Sequence, residues 1–524
     1  MTRFLLILLL GAVACGDDDE TSPDASGPDA TADATLDATP DATPDADPPD
    51  ATPDADANVP DGDADLPMRA EVRLVHASPG APEVDLAVVG GDVLVDALAY
   101  GSASAYAMVD PGDVMVELRL DADDSVVLTE TLTVAAGGTY TVVAAGLAGG
   151  VADDELRLLS LEEGFAAPGA TEAIIRVVHA GADAPAVDID LGLDGVDVPN
   201  LMRFAATPEA GVPLDITAPT RLEVAAAGGA GISTFTVDGL AAGAEVFVIA
   251  TGLAAELPRR DEGFSLLAVL PSDGTSSPTA WVRQDPRVYA LHLALDVNNV
   301  DVFAGPTELV DDLAFAGFAG PVQVSPAAGV TLDVFPTSAG SMRPAGMPAA
   351  SDMVGDLEAG ERYLFVATGI LGDATDPFQI VAARERMEPD PAAIDRPRVV
   401  AIHAAPDANM NVQTMRTGVP PGAFTVVSAL TPIVYAMPTA EEGITLDETG
   451  MVIFGVSDPG EAAPDVAFDP FDFTGGFARY FLTAGGAVQP TTPPMTPRPL
   501  VRLVVVRATD DHAWTATVLN VPGT

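Results

Sequence analysis

The sequence predicts an all-β protein: four tandem β-sandwich domains after a disordered N-terminal stalk. Three observations carry this expectation. First, one phrase recurs four times, as Val-Arg-Leu-Val-His76, Ile-Arg-Val-Val-His179, Val-Tyr-Ala-Leu-His292 and Val-Val-Ala-Ile-His403. The histidines lie 103, 113 and 111 residues apart, which measures whole domains rather than the short units of a solenoid. Second, short alternating runs such as Val114–Leu120, Thr139–Ala145 and Arg221–Ala225 are split by Gly, Pro and Asp, as strands are by turns. Third, sustained helical spacing is hard to find. That combination favours sandwiches or barrels over parallel sheets, and Ig/transthyretin-like sandwiches are the expected form.

Each unit repeats further landmarks. An aspartate follows the first three histidines by nine residues, as Asp85, Asp188 and Asp301, with Asn411 as a near equivalent in the fourth copy. Midway, Asp96–Tyr100 matches Asp311–Phe315, and Asn200–Phe204 matches more loosely. A later strand phrase runs from Gly137 to Gly146, Gly243 to Gly252, Gly360 to Gly369 and Gly476 to Gly485. Closing strands are expected at Leu156–Leu161, Phe264–Leu270, Phe378–Ala383 and Leu500–Arg507. The last of these could instead open a truncated fifth unit. Closure is preferred, because Val505 stands where that unit's histidine would fall. The sandwich repeats are therefore placed at 68–166, 173–272, 284–388 and a divergent 396–524 that includes the C-terminal tail. Linkers fall near Ala166–Glu172, Ser272–Pro286 and Met387–Pro397.

The first 67 residues are a different material. Met1-Thr2-Arg3, the apolar run Phe4–Val13 and small residues before Cys15 suit a cleaved export signal over 1–14, since ten apolar residues cannot span a bilayer as a helix. The stretch 15–67 is rich in Asp, Pro, Ala and Thr. From Gly16 to Leu66 it holds 17 acidic residues and no basic ones, so it is expected to stay disordered and extended. Its Asp54–Asp65 portion has oxygen ligands of the calcium-loop kind but no closing Glu, and solvated spacer is the better reading.

Composition limits function. The net charge of −55 argues against nucleic acid, whose phosphates need a basic footprint. All 23 basic residues are arginine, which removes lysine-based covalent catalysis. A single cysteine excludes an intrachain disulfide.

Two resemblances add to this reading. Ala12-Val13-Ala14-Cys15 resembles the lipobox of bacterial lipoproteins, which implies lipidation at Cys15 and membrane attachment through that lipid. The phrases Val72–Asp85 and Ile175–Asp188, with Tyr100-Gly-Ser, Tyr106 and Tyr140–Gly146, resemble domain-of-unknown-function family 4397. That likeness implies exported β-sandwich domains, often in tandem, with no established activity to carry over.

The repeated His–Asp pairs admit three chemistries. One His and one Asp per unit fall short of the three or four ligands of a metal site. A catalytic base needs a nucleophile beside it, but Ser78 is replaced by Gly181, Ala294 and Ala405 in the other copies. The reading adopted is structural, with His76, His179, His292 and His403 latching the next loop, and Asp85, Asp188 and Asp301 satisfying backbone donors. The protein is expected to need no cofactor or metal. It is read as a monomeric, non-catalytic outer-membrane lipoprotein that displays binding or adhesion modules to a surface protein or glycan. The alternatives are an extracytoplasmic hydrolase with a site in one repeat, near Trp281, Tyr289 or Asp510-Asp511-His512, and an inward-facing periplasmic scaffold.

Overall fold

The computed structural model describes residues 68–524, except 273, 338–341, 448, 489–497 and 523–524. The expected signal segment 1–14, Cys15 and the stalk 15–67 lie outside the described residues. Among the described residues the helical pieces are two three-residue 3-10 turns, and no helix is long and apolar enough to cross a membrane.

The first module contains β1 (Ala70–His76), β2 (Val84–Val88), β3 (Val93–Leu98), β4 (Ala107–Val109), β5 (Gly112–Leu120), β6 (Val126–Val134), β7 (Thr139–Ala145) and β8 (Arg157–Glu162). Two four-stranded sheets, β4-β1-β7-β8 and β3-β2-β5-β6, enclose a core of Val72, Leu74, Leu86, Val116, Leu118 and Val142. The same plan recurs three times.

Each sandwich includes one parallel pairing, a detail that the preference for sandwiches over parallel sheets did not anticipate. β1 runs parallel to β7, with His76 opposite Ala144. The equivalents place His179 opposite Ala250, His292 opposite Ala367 and His403 opposite Ala484. Such sheets are normally covered on both faces, and their strands read as near-continuous apolar runs. That is why Val-Arg-Leu-Val-His shows little alternation.

The covering layer is the neighbouring module. Val72 and Leu74 point into the first core, while Val75 and Val143 pack against Val178, Ile249 and Leu267 of the second module. Likewise Leu291 and Val366 of the third module pack against Ile402, Phe481 and Val504 of the fourth. The modules are therefore joined in two pairs, each fused through its histidine-bearing sheets. The beads-on-a-string picture is replaced by two double sandwiches.

Both second members carry a fifth strand on that sheet. Thr279–Val282 pairs with Ser265–Val269, so the segment 272–286 is not a bare linker and the second module extends past 272. In the fourth module, Arg502–Ala508 pairs antiparallel with Arg479–Gly485 and closes the sandwich, and Thr515–Leu519 adds the fifth strand. The chain's two tryptophans sit on these additions. Trp281 lies 5.5 Å from the Tyr100 ring of the first module, and Trp514 stacks on Tyr289 of the third at 3.9 Å and 1°.

Candidate functional site

The repeated polar cluster lies where the first strand of each module ends. Nε2 of His76 donates to the Pro82 carbonyl at 3.0 Å, and Nε2 of His179 to that of Pro185 at 2.7 Å. His292 reaches Asn298 O at 3.3 Å, and His403 reaches Asn409 O at 2.8 Å. The acceptor is always six residues ahead, so the ring ties the strand to the loop that follows it. With Nε2 as donor, Nδ1 is the bare nitrogen. It accepts weakly from the Ser78 and Ala405 amides at 3.4 Å in modules one and four. In His179 and His292 it has no partner among the described residues. Burial lowers the basicity of all four rings, to about 4 for His292, so each is neutral near pH 7.

The histidine backbone makes a second tie. The carbonyls of His76, His179, His292 and His403 accept the amides of Gly101, Phe204, Ala316 and Ala436 at 2.7–2.9 Å. All four donors have left-handed φ, between 54° and 79°. Glycine meets this requirement freely at 101, where a Cβ would also fall 2.4 Å from Trp281; the other three hold the strained backbone against its cost. The residue before each donor faces the imidazole. Tyr100, Phe315 and Tyr435 meet their rings edge-on at 5.9, 6.3 and 5.4 Å. Arg203 holds that place in the second module. The loose match of Asn200–Phe204 to Asp96–Tyr100 is thus displaced by one residue, because Arg203 rather than Phe204 corresponds to Tyr100.

The aspartates pin the neighbouring strand. Oδ1 of Asp85 accepts the Ala97 amide at 2.8 Å, that of Asp188 the Asn200 amide at 2.7 Å, and that of Asp301 the Asp312 amide at 2.9 Å. These donors are also left-handed, with φ of 49°, 50° and 51°, at a bulge in the strand pairing. Asp188 takes the Gly228 amide as well, and the two donors hold its carboxyl below the usual range. The fourth module differs. Val412 faces Ile433 as Val84 faces Leu98, so Gln413, not Asn411, occupies the aspartate's position. The residue in Ala97's place is then Pro432, which has no amide to donate. Losing the donor and losing the carboxylate go together.

The His and Asp side chains of one module do not meet in a reactive pair, since each engages backbone groups of a different segment. Ser78, fully buried, donates its hydroxyl to Gly146 O at 2.7 Å rather than to His76. The residues proposed for a hydrolase are divided. Trp281 belongs to the interface of the first pair, whereas Tyr289 donates to His512 O at 2.8 Å in the second. Among the described residues, three clusters of carboxylates have oxygens within 4.8 Å of one another, namely Asp85–Asp96–Asp121, Asp190–Asp194–Asp197 and Asp301–Glu308–Asp311. Asp190 already accepts the amides of Asp194 and Gly195, which makes the second group a turn.

The fold and its latches define a class: tandem two-sheet β-sandwiches, each with a parallel histidine strand clamped to two loops. Residues 70–190 and 286–413 match the model of the domain of unknown function DUF4397, so the chain carries repeats of that family. Each match runs through the first module of a pair and into the opening strands of the second. No curated protein matches the chain. Among solved structures, the Bacillus anthracis TIE protein aligns over 78% of this chain and 67% of its own at 9% identity. Its TM-score of 0.13 is too low to carry an argument.

Proposed function

We propose that this is a lipid-anchored envelope protein that displays a rigid array of non-catalytic binding modules. The observation that carries the reading is how the repeated polar residues are used. The imidazoles in all four modules and the carboxylates in the first three hold loop backbones at one end of the sandwich, so the loops become the preorganised working surface. Fusion of the modules in pairs favours a spaced, rigid presentation over independent domains. The acidic stretch 15–67 suits a spacer, and strong negative charge keeps an exposed protein soluble and steers basic partners.

Protease shaving of intact cells tests display. Cleavage within 16–67 before lysis is expected, and protection until the envelope is broken would favour the inward-facing scaffold. Binding is tested by screening the chain without its lipid against glycans and envelope extracts.

A further inference from the structure

Of the 14 methionines, Met1 and Met495 lie outside the described residues. Ten of the other twelve are exposed, from Met451 at 43% to Met347 at 94%. Leucine has nearly the same size and hydrophobicity, and protein cores exchange the two at little cost. Yet Leu193 is the one leucine of comparable exposure among the described residues, and no phenylalanine there reaches it. Simple tolerance of apolar side chains at the surface would not sort them in this way. The outer positions are enriched in sulfur rather than in hydrocarbon.

The placement of these thioethers adds a second observation. They are spread over all four modules, as Met115, Met202, Met353 and Met451 illustrate. A methionine-rich docking surface would instead gather its flexible side chains in one groove. None of the ten belongs to an apolar core among the described residues. The two buried methionines stand where an added oxygen would do damage. Met387 lies in the core shared by the third and fourth modules, and Met415 Sδ accepts the buried Ser457 hydroxyl at 3.5 Å.

Other readily oxidised side chains are scarce. The single cysteine, Cys15, lies outside the described residues, Trp514 is buried and Trp281 is half-buried. Susceptibility of a thioether follows its exposure, so the surface set would meet an oxidant before anything in the cores.

We propose that the exposed methionines form a sacrificial layer that consumes peroxides reaching the envelope. The sulfur attacks one oxygen of hydrogen peroxide, and the S–O bond forms as the O–O bond breaks. Sulfur is oxidised by two electrons, and the leaving hydroxide takes the proton of the transferred hydroxyl and departs as water. The product is a methionine sulfoxide, which sulfoxide reductases return to the thioether. Each of these side chains stands clear of the cores, so the added oxygen alters surface hydration and leaves packing intact. The inference rests on the envelope reading only for the source of the oxidant.

The test treats the folded full chain with hydrogen peroxide and follows every methionine by peptide mapping. The ten exposed sites should oxidise about tenfold or more faster than Met387 and Met415, with the difference lost in denaturant. Protein oxidised at the ten sites should keep the melting temperature of untreated protein, and methionine sulfoxide reductases should restore its mass. Cells carrying a variant with each of the ten changed to leucine should survive peroxide roughly twofold less well than cells with equal wild-type protein. Equal oxidation of exposed and buried sites, a lowered melting temperature after surface oxidation, or equal survival would each overturn the proposal. Protease protection of the stalk would remove the surface-display reading and leave the oxidation outcomes unchanged, since these are measured on the isolated chain.

Discussion

Glu385 receives Arg259 at 3.0 Å, an ion pair that joins the end of the third module to a loop of the second. The same carboxylate bonds Arg362 of the third module and lies 3.6 Å from Arg479 of the fourth. Glu385 is fully buried, and Arg362 is 1% exposed. One carboxylate therefore balances guanidinium groups from three modules at the point where the two pairs meet. A buried ion pair adds little net stability over an apolar replacement, but removing one partner strands the other charges. Glu385→Ala is expected to cost about 3–5 kcal/mol. Differential scanning calorimetry should show the unfolding of the two pairs separating; a single unshifted transition would refute the junction's role.

The aspartate pin predicts a graded series at Asp85 and Asp301. Asp301→Ala removes the carboxylate that accepts the partly buried amide of Asp312, at a cost of about 1 kcal/mol. Asp301→Asn keeps an oxygen in place and should lose less. Ala97→Gly relieves a left-handed backbone and is expected to raise stability by up to about 1 kcal/mol. Urea midpoints measure all three, and an Ala variant as stable as the Asn variant would contradict the pin.

The latches predict acid sensitivity. Burial lowers each folded imidazole below its free value, so the unfolded chain takes up protons first as pH falls. Stability from this source is complete above about pH 6.5 and is lost on descent toward about pH 4. His292 alone accounts for roughly 3 kcal/mol over that window. Stability measured by denaturant between pH 7 and 5 should fall steeply. His292→Gln should fall less steeply, by up to about one proton in the linkage slope. An unchanged slope would show that this ring stays uncharged in the unfolded chain or protonates freely in the folded one.

The stacked Trp514 predicts where the second pair opens. Trp514→Ala leaves Tyr289 and Phe481 without their shared ring partner and should cost about 3–5 kcal/mol. Hydrogen exchange should rise along both Arg287–His292 and Arg479–Gly485, with the first pair unaffected.

The proposed lipid anchor at Cys15 predicts a simple fractionation. Cys15→Ser should move the protein from the membrane to the soluble fraction, and the mature wild-type N-terminus should carry a diacylglyceryl cysteine by mass spectrometry. Unmodified Cys15 would refute the anchor.

Much of the repeat was legible because its signals are local. The histidine phrase, the aspartate nine residues on and the terminal Gly each mark a strand end or turn, and those leave fixed spacings. The left-handed residues were not legible, since Phe204, Ala316 and Ala436 are not residues that announce a positive φ. Tyr100, Phe315 and Tyr435 carried a partial signal, an aromatic shortly before the strained position. Arg203 broke the pattern in the second module. Pro432 could have revealed why the fourth aspartate is missing, but only strand register shows that it adjoins Ile433, the residue opposite Val412, and so stands in Ala97's place.

By itself the sequence determined an all-strand array of four like units, because side-chain alternation, turn residues and repeat spacing are properties of neighbouring positions. Tertiary structure alone decided that β1 lies parallel to β7, that modules fuse in pairs, and that Trp281 and Trp514 close the two interfaces. Those outcomes depend on apolar faces separated by a hundred residues or more finding each other. A run such as Val-Arg-Leu-Val-His states that both faces are buried, not what buries them.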